Sequence, residues 1–143
     1  MKKLLGIVVL GLLLSGSAYA KTILNCQSDE FEVLRNGKSE RTKVVKKNEI
    51  FFKIDARQNK IYEMHKFNND FKEVKDYVNI SSSKITWSRD DDILLTKNYS
   101  SINRITGDYI FEVYYDKKSP LRKGNGMDYS KTTYKCILDK KLF

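Results

Sequence analysis

The sequence predicts a mainly β fold: a single antiparallel meander, barrel or sandwich, of about seven to nine short strands. Three observations predict it. The chain contains nine Tyr and seven Phe but only one Pro, and aromatic residues favour strands. Short runs of alternating apolar and polar residues are separated by turn signals. The only two cysteines, Cys26 and Cys136, lie near the two ends of the chain and are expected to close the fold as a disulfide.

Alternation is clearest in two segments. In Glu49–Asp55, three apolar residues occupy every second position, which is the period of a strand with one buried face. Asp108–Tyr115 places Tyr109, Phe111, Val113 and Tyr115 on one face in the same way. Further predicted strands include Lys21–Cys26, Glu30–Leu34, Lys60–Lys66, Asp76–Ile80, Lys84–Ser88, Ile93–Lys97, Ser101–Thr106 and Tyr129–Leu138.

Turn signals separate these runs, and one segment stays ambiguous. Asn36-Gly37 is a strong hairpin turn signal, and Arg89–Asp92 also reads as a turn. Residues 68–77 combine helical spacing of Phe71 and Val74 with no clean alternation, so a short helix and a strand both remain open there.

The first twenty residues resemble a cleavable secretory signal peptide. Two lysines precede the apolar run Leu4–Leu14, and Ala18-Tyr19-Ala20 supplies small residues at the −3 and −1 positions. An apolar run of this length suits a signal peptide better than the alternative, an uncleaved membrane anchor. Cleavage after Ala20 leaves a single small β domain, residues 21–143, in the bacterial periplasm or secreted medium. Asn25 is too bulky to precede a lipidated Cys26, so no lipid anchor and no stable membrane span are expected.

Export explains the cysteine pair. In an oxidising compartment an even pair usually forms a structural disulfide. A redox-active pair is the alternative, but the two cysteines lack the Cys-x-x-Cys spacing that this chemistry favours.

The charge favours anionic partners. The whole chain carries +9, two lysines lie before Lys21, and all acidic residues lie after it, so the exported part carries about +7. An anionic envelope polymer is the expected partner, and another periplasmic protein is the alternative. Solubility alone would also explain the charge. The sequence has no helix-turn-helix or RNA-binding signature, so nucleic acid is not expected.

The most informative cationic stretch is residues 117–127, which has no acidic residue and contains Pro120 and two glycines. A mobile loop of this composition beside a Tyr-rich strand could hold phosphate or carboxylate groups, although loops are often charged simply because they are solvated. The candidate ligand-binding residues are Lys117, Lys118, Arg122, Lys123 and Tyr115.

The sequence contains weaker signals for a catalytic site or a metal site than for a cationic ligand site. His65 is the only histidine, and a surface or edge position is expected for it. Asp90–Asp92 could bind a hard cation, but it lacks the alternating ligands of a calcium loop and fits a turn. No catalytic residue, metal site or cofactor is predicted, and enzymatic activity stays uncertain because scattered glutamates such as Glu63 permit a two-carboxylate hydrolase.

Two resemblances bear on function. Ile102-Asn103-Arg104-Ile105-Thr106-Gly107, with the terminal cysteines, is similar to an Ile-x-Arg-x-Thr-Gly hairpin in small exported proteins of proteobacteria whose function is not established. Thr106-Gly107-Asp108-Tyr109 also resembles the Ser-Gly-x-x-Tyr loop of periplasmic inhibitors of C-type lysozyme, with Thr106 in place of the serine and the tyrosine one residue closer. That second resemblance implies a small, disulfide-closed β-barrel.

Three hypotheses of function follow. The first is a non-catalytic periplasmic binding or envelope-associated module that contacts an anionic partner. The second is a protein-interaction factor of the lysozyme-inhibitor kind. The third is a carboxylate-based hydrolase.

Overall fold

Ten antiparallel strands and one short helix form a curled half-barrel, so the mainly β prediction is confirmed. The computed structural model describes residues 21–66 and 70–138. The predicted signal peptide lies outside the described residues. The strands are β1 (Thr22–Arg35), β2 (Lys38–Lys43), β3 (Glu49–Asp55), β4 (Lys60–His65), β5 (Lys72–Glu73), β6 (Asn79–Ile80), β7 (Lys84–Asp91), β8 (Thr96–Asn103), β9 (Asp108–Tyr115) and β10 (Met127–Leu138). The helix is α1 (Pro120–Asn125).

The strand order is β5-β4-β3-β1-β10-β9-β8-β7-β6, and β2 pairs with β1 beside this path. β1 lies at the centre of the sheet. Along one edge it pairs with β10. Along the other edge its first half pairs with β3 and its second half pairs with β2. A register shift between Ser28 and Glu30 lets β1 bend between these partners. The two strands predicted over Lys21–Cys26 and Glu30–Leu34 are therefore one strand.

Residues 72–80 close the curl between β4 and β7. The Val74 amide donates to the Ile61 carbonyl at 2.9 Å, and the Ser88 amide donates to the Asp76 carbonyl at 3.3 Å. These backbone groups pair with neighbouring strands, so they are not available for helical hydrogen bonds. The helical alternative for residues 68–77 is wrong over the described part, 70–77, and residues 68 and 69 lie outside the described residues.

Of two predicted turns, one is confirmed and the other lies further along the chain than predicted. The Asn36-Gly37 turn is confirmed, with positive φ at both residues (49° and 75°), as a tight hairpin needs. The turn predicted at Arg89–Asp92 is displaced, because β7 continues to Asp91 and β8 begins only at Thr96. Asp91 Oδ1 accepts hydrogen bonds from the amides of Ile93 and Leu94, which fixes the turn beyond the strand.

The core lies on the concave face and is aromatic at its centre. Phe52 is fully buried and packs edge-on against Trp87 and Tyr109, at centroid distances of 5.4 and 4.8 Å. Cys26 and Cys136 are paired neighbours on β1 and β10, and their disulfide lies in this core. The predicted disulfide is confirmed.

Helix α1 lies within the stretch that the sequence predicts as a mobile loop. Pro120 occupies a first-turn position, and Gly126 ends the helix with φ of 65°. Ser119 Oγ donates to the Leu94 carbonyl at 2.7 Å, which attaches this segment to the turn between β7 and β8. No helix of the described residues is long and apolar enough to cross a membrane.

Candidate functional site

The convex face of the sheet carries a groove of about 660 Å³ across β7, β8 and β9. Side chains alternate between the two faces of each strand, so the residues next to core positions point into this groove. Thr86, Ser88 and Ser101 form a floor of small hydroxyl side chains. We call this surface the outer tyrosine groove, defined by its tyrosines Tyr77, Tyr99 and Tyr114 with Lys84, Lys97 and Glu112.

Three tyrosine rings in the groove are exposed to solvent: Tyr77 by 86%, Tyr99 by 44% and Tyr114 by 46%. Tyr99 and Tyr114 contact edge-on at a centroid distance of 5.6 Å, and Tyr114 also contacts Tyr129 at 4.9 Å. Contacts between the rings restrict their motion, so the groove offers preorganised aromatic surface.

Hydrogen bonding fixes the end of this tyrosine row. Tyr129 donates to Glu112 Oε1 at 2.7 Å. Partial burial, together with the Glu112 carboxylate, raises the pKa of Tyr129, and the same two causes raise the pKa of Tyr114. Both hydroxyls therefore stay protonated near neutral pH and serve as donors.

Tyr77 holds an unusual backbone conformation. Its φ is 48°, in the left-handed region that a bulky residue rarely occupies. The backbone thus bears a cost of about 1 kcal/mol or more to hold an aromatic ring in solvent. Leu95, in the turn between β7 and β8, has the same conformation with φ of 52°, so the backbone angle alone does not indicate a recognition surface.

The two groove lysines are exposed, and neither Lys84 nor Lys97 forms an ion pair with a described residue. Glu112 is already engaged by Tyr129. The groove therefore combines aromatic faces with two cationic groups that remain available to a partner.

Two of the five predicted ligand-binding residues have partners within the protein. Arg122 pairs with Asp128 at 2.8 Å, and Tyr115 points to the opposite face from Tyr114, with its hydroxyl 3.3 Å from Ser130 Oγ. Lys117, Lys118 and Lys123 are exposed and form no ion pair within the described chain. Ligand binding by these five residues stays a prediction.

An acidic surface borders the groove on the side of Tyr114. Asp90, Asp91, Asp92 and Asp116 line a depression there together with Lys97. Over residues 21–66 and 70–138, no group of three or more His, Cys, Asp or Glu side chains is placed to hold a metal ion. Asp91 acts as a turn cap, as described above, and Asp116 likewise accepts from the Lys118 amide at 2.8 Å.

The concave face opens into a second space, the inner cavity, of about 240 Å³. Its walls are aromatic, from Trp87, Tyr109, Phe111 and Tyr134 with Ile50, and its polar lining consists of Glu63, His65, Arg89, Asn98 and Ser100. His65 Nε2 lies 2.5 Å from Glu63 Oε1, and Arg89 Nε donates to Asp76 at 2.9 Å. His65 is exposed at the end of β4, as the sequence predicts for an edge position.

Glu63 is the single carboxylate among the described residues that line the inner cavity. The hydrolase hypothesis needs two carboxylates across a cleft, so this cavity does not support it. Burial is the main cause that raises the pKa of both Tyr109 and Tyr134, and the nearby Glu63 carboxylate adds to it. Besides these tyrosines, the titratable groups that line the cavity are Glu63, His65 and Arg89.

Sequence reasoning missed both surfaces for the same reason. Each is assembled from three or more strands, and the pairing of those strands is not written in any local motif. One signal was present: exposed tyrosines such as Tyr99 and Tyr114 occupy the polar positions of their alternating strands.

Compared with known proteins, the chain matches no family model and no curated protein sequence.

Proposed function

We propose that this chain is a non-catalytic module, exported to the bacterial periplasm, that binds an anionic polysaccharide of the envelope through the outer tyrosine groove. One observation carries the proposal: three exposed tyrosine rings share a single groove with two lysines that have no ion-pair partner in the described chain. Exposed aromatic surface of this kind is typical of recognition sites.

The chemistry of the groove fits acidic sugars. The apolar C–H face of a sugar ring packs against a tyrosine ring, and hydroxyl side chains on the floor exchange hydrogen bonds with sugar hydroxyls. Lys84 and Lys97 would pair with carboxylate groups of the polymer. Because a groove across three strands accepts a chain rather than one small molecule, a polymer is the better match.

The same charges argue against nucleic acid. A nucleic acid carries a phosphate on every nucleotide and binds through many cationic contacts. The groove holds two lysines, and the acidic surface of Asp90–Asp92 borders it. An acidic polysaccharide binds through the packing of its sugar rings as well as through charge, so it suits a groove with two lysines better.

Binding to alginate, a polymer of uronic acids, tests the proposal. Oxidised protein of residues 21–143 is expected to bind alginate but not neutral dextran, with affinity that falls between about 50 and about 500 mM salt because the lysine contacts are screened. Replacing Tyr99 and Tyr114 with alanine should weaken binding by about tenfold or more through loss of both stacking faces. Calorimetry or biolayer interferometry provides the measurement.

Charge-matched variants serve as controls. Lys84→Gln with Lys97→Gln removes two positive charges from the groove, whereas Lys117→Gln with Lys118→Gln removes two from the predicted cationic loop. The groove pair should lose affinity and salt dependence, and the loop pair should retain both. Equal losses in the two variants, or tighter binding to single-stranded DNA than to alginate, would contradict the proposal.

The first residue of the exported protein tests the proposed export. Protein recovered from the periplasm is expected to begin at Lys21, because signal peptidase requires small residues at −3 and −1. Intact-mass measurement gives the cleavage point, and Ala18→Asp should block processing while Ala18→Gly should not. Recovery of periplasmic protein that still begins at Met1 would overturn the assignment.

A further inference from the structure

The inner cavity has the size of a small ligand. Its volume is about 240 Å³. Drug-sized ligands occupy pockets of roughly 300 Å³ and more. A single ring compound with a few substituents fits a space of this size.

The cavity presents one carboxylate and one guanidinium, and each contacts a partner side chain within the protein. The Glu63 carboxylate lies 2.5 Å from the His65 ring, and the Arg89 guanidinium pairs with Asp76 at 2.9 Å. An anion would meet Glu63, and a cation would meet Arg89, so each would gain attraction from one group and repulsion from the other. The cavity consequently favours a neutral ligand.

Two neutral polar side chains provide hydrogen-bonding capacity. The Oδ1 atom of Asn98 is buried and accepts no hydrogen bond from any described residue, a state that costs about 1–3 kcal/mol unless a donor is supplied. The Ser100 hydroxyl has only a long contact, 3.4 Å, with the Tyr109 hydroxyl. Asn98 and Ser100 lie opposite Arg89 and Trp87 in the strand register, so they face the same space.

We propose that the inner cavity is a binding site for a single neutral sugar ring. Its lining shares Trp87 and Ser100 with the outer tyrosine groove, but Asn98, Glu63 and Arg89 line the cavity alone. A pyranose supplies hydroxyl donors to Asn98 Oδ1 and Glu63, acceptors to Arg89 and Ser100, and an apolar ring face to the aromatic walls. The ligand thus satisfies the buried acceptor and the apolar lining at once.

Fluorescence titration detects binding, because Trp87 is the only tryptophan in the chain and lines the cavity. Trp87 also lines the outer tyrosine groove, so the variants of Asn98 assign the signal to the cavity. The probes are methyl glucoside, methyl galactoside and N-acetylglucosamine, and the comparison compounds are glycine, glutamate and inorganic phosphate. At least one of the three sugars is expected to give a saturable change in tryptophan emission, while the charged compounds give none. Saturation by a charged compound, or by none of the sugars, would overturn the proposal.

Variants separate a binding role from a structural one. Asn98→Leu removes a buried acceptor, so it should raise the melting temperature while weakening sugar binding by about tenfold or more. Asn125→Leu, the same substitution at an exposed position that lines neither the inner cavity nor the outer tyrosine groove, is the matched control and should leave sugar binding unchanged. Ser100→Ala gives a second test that keeps the packing and should also weaken binding. Unchanged binding in both cavity variants would contradict the proposed site.

Discussion

Replacing both Cys26 and Cys136 with alanine is expected to lower the free energy of unfolding by about 3–5 kcal/mol. The two cysteines are 110 residues apart in sequence, and closing so long a loop removes much of the conformational freedom of the unfolded chain. They also occupy paired positions on β1 and β10, at the centre of the sheet. The disulfide therefore joins strands that hold both halves of the half-barrel together.

Denaturant unfolding followed by Trp87 emission measures this effect. The wild-type protein unfolded in the presence of a reductant is the matched control, because it loses the cross-link but keeps both sulfur atoms. Reduced wild type should lose most of the stability that the double variant loses, and the remainder reports the packing of two buried side chains. Equal unfolding midpoints for oxidised and reduced wild type would show that the disulfide does not stabilise the fold.

The second large effect is expected at Phe52. Phe52→Ala should lower the free energy of unfolding by about 3–5 kcal/mol, as is typical of a buried aromatic side chain. Phe52 is fully buried and contacts both Trp87 and Tyr109. Its removal would leave a cavity that rigid neighbouring strands cannot fill.

The neighbouring residue provides the control for Phe52. Phe51 lies on the opposite face of β3 and is partly exposed, so Phe51→Ala should cost about 1–2 kcal/mol. Denaturation curves of the two variants under the same conditions give the comparison. If Phe51→Ala lowered the free energy of unfolding as much as Phe52→Ala or more, the core would not lie on the face of β3 that carries Phe52.

Local patterns predicted some strands to the residue. The bounds of Glu49–Asp55 and Asp108–Tyr115 agree with β3 and β9, because each has one buried face and clear ends. Export context and cysteine number predicted the disulfide, since two cysteines in an oxidising compartment leave a single pairing.

Other elements depended on information that no local window holds. Residues 72–80 hydrogen-bond to strands on both sides of the gap between β4 and β7, and their helical spacing gave no sign of those partners. Helix α1 did carry a local signal, since Pro120 and Gly126 stand at positions typical of a helix start and end. The glycines and lysines around it favoured the interpretation as a mobile loop.

The two candidate functional surfaces were also predictable only in part from local sequence patterns. The alternation in β9 put Tyr114 on the face opposite Tyr109 and Phe111, but no predicted strand included Tyr99, and the 5.6 Å approach of the two rings depends on the register between β8 and β9. The inner cavity requires β4 and β7, which are far apart in the strand order, to face one another across the curl. The proposal of the cationic residues as a ligand site stays a prediction, and the pairing of Arg122 with Asp128 is a contact that no local pattern indicates.

Mapping the contact surface by NMR tests the central proposal most directly. Oxidised, ¹⁵N-labelled protein of residues 21–143 would be titrated with short alginate oligomers at low salt. The proposal predicts that backbone amide shifts concentrate at the outer tyrosine groove, above all at Tyr77, Lys97, Tyr99 and Tyr114. Shifts confined to residues 117–127, or no shifts at saturating oligomer, would contradict it.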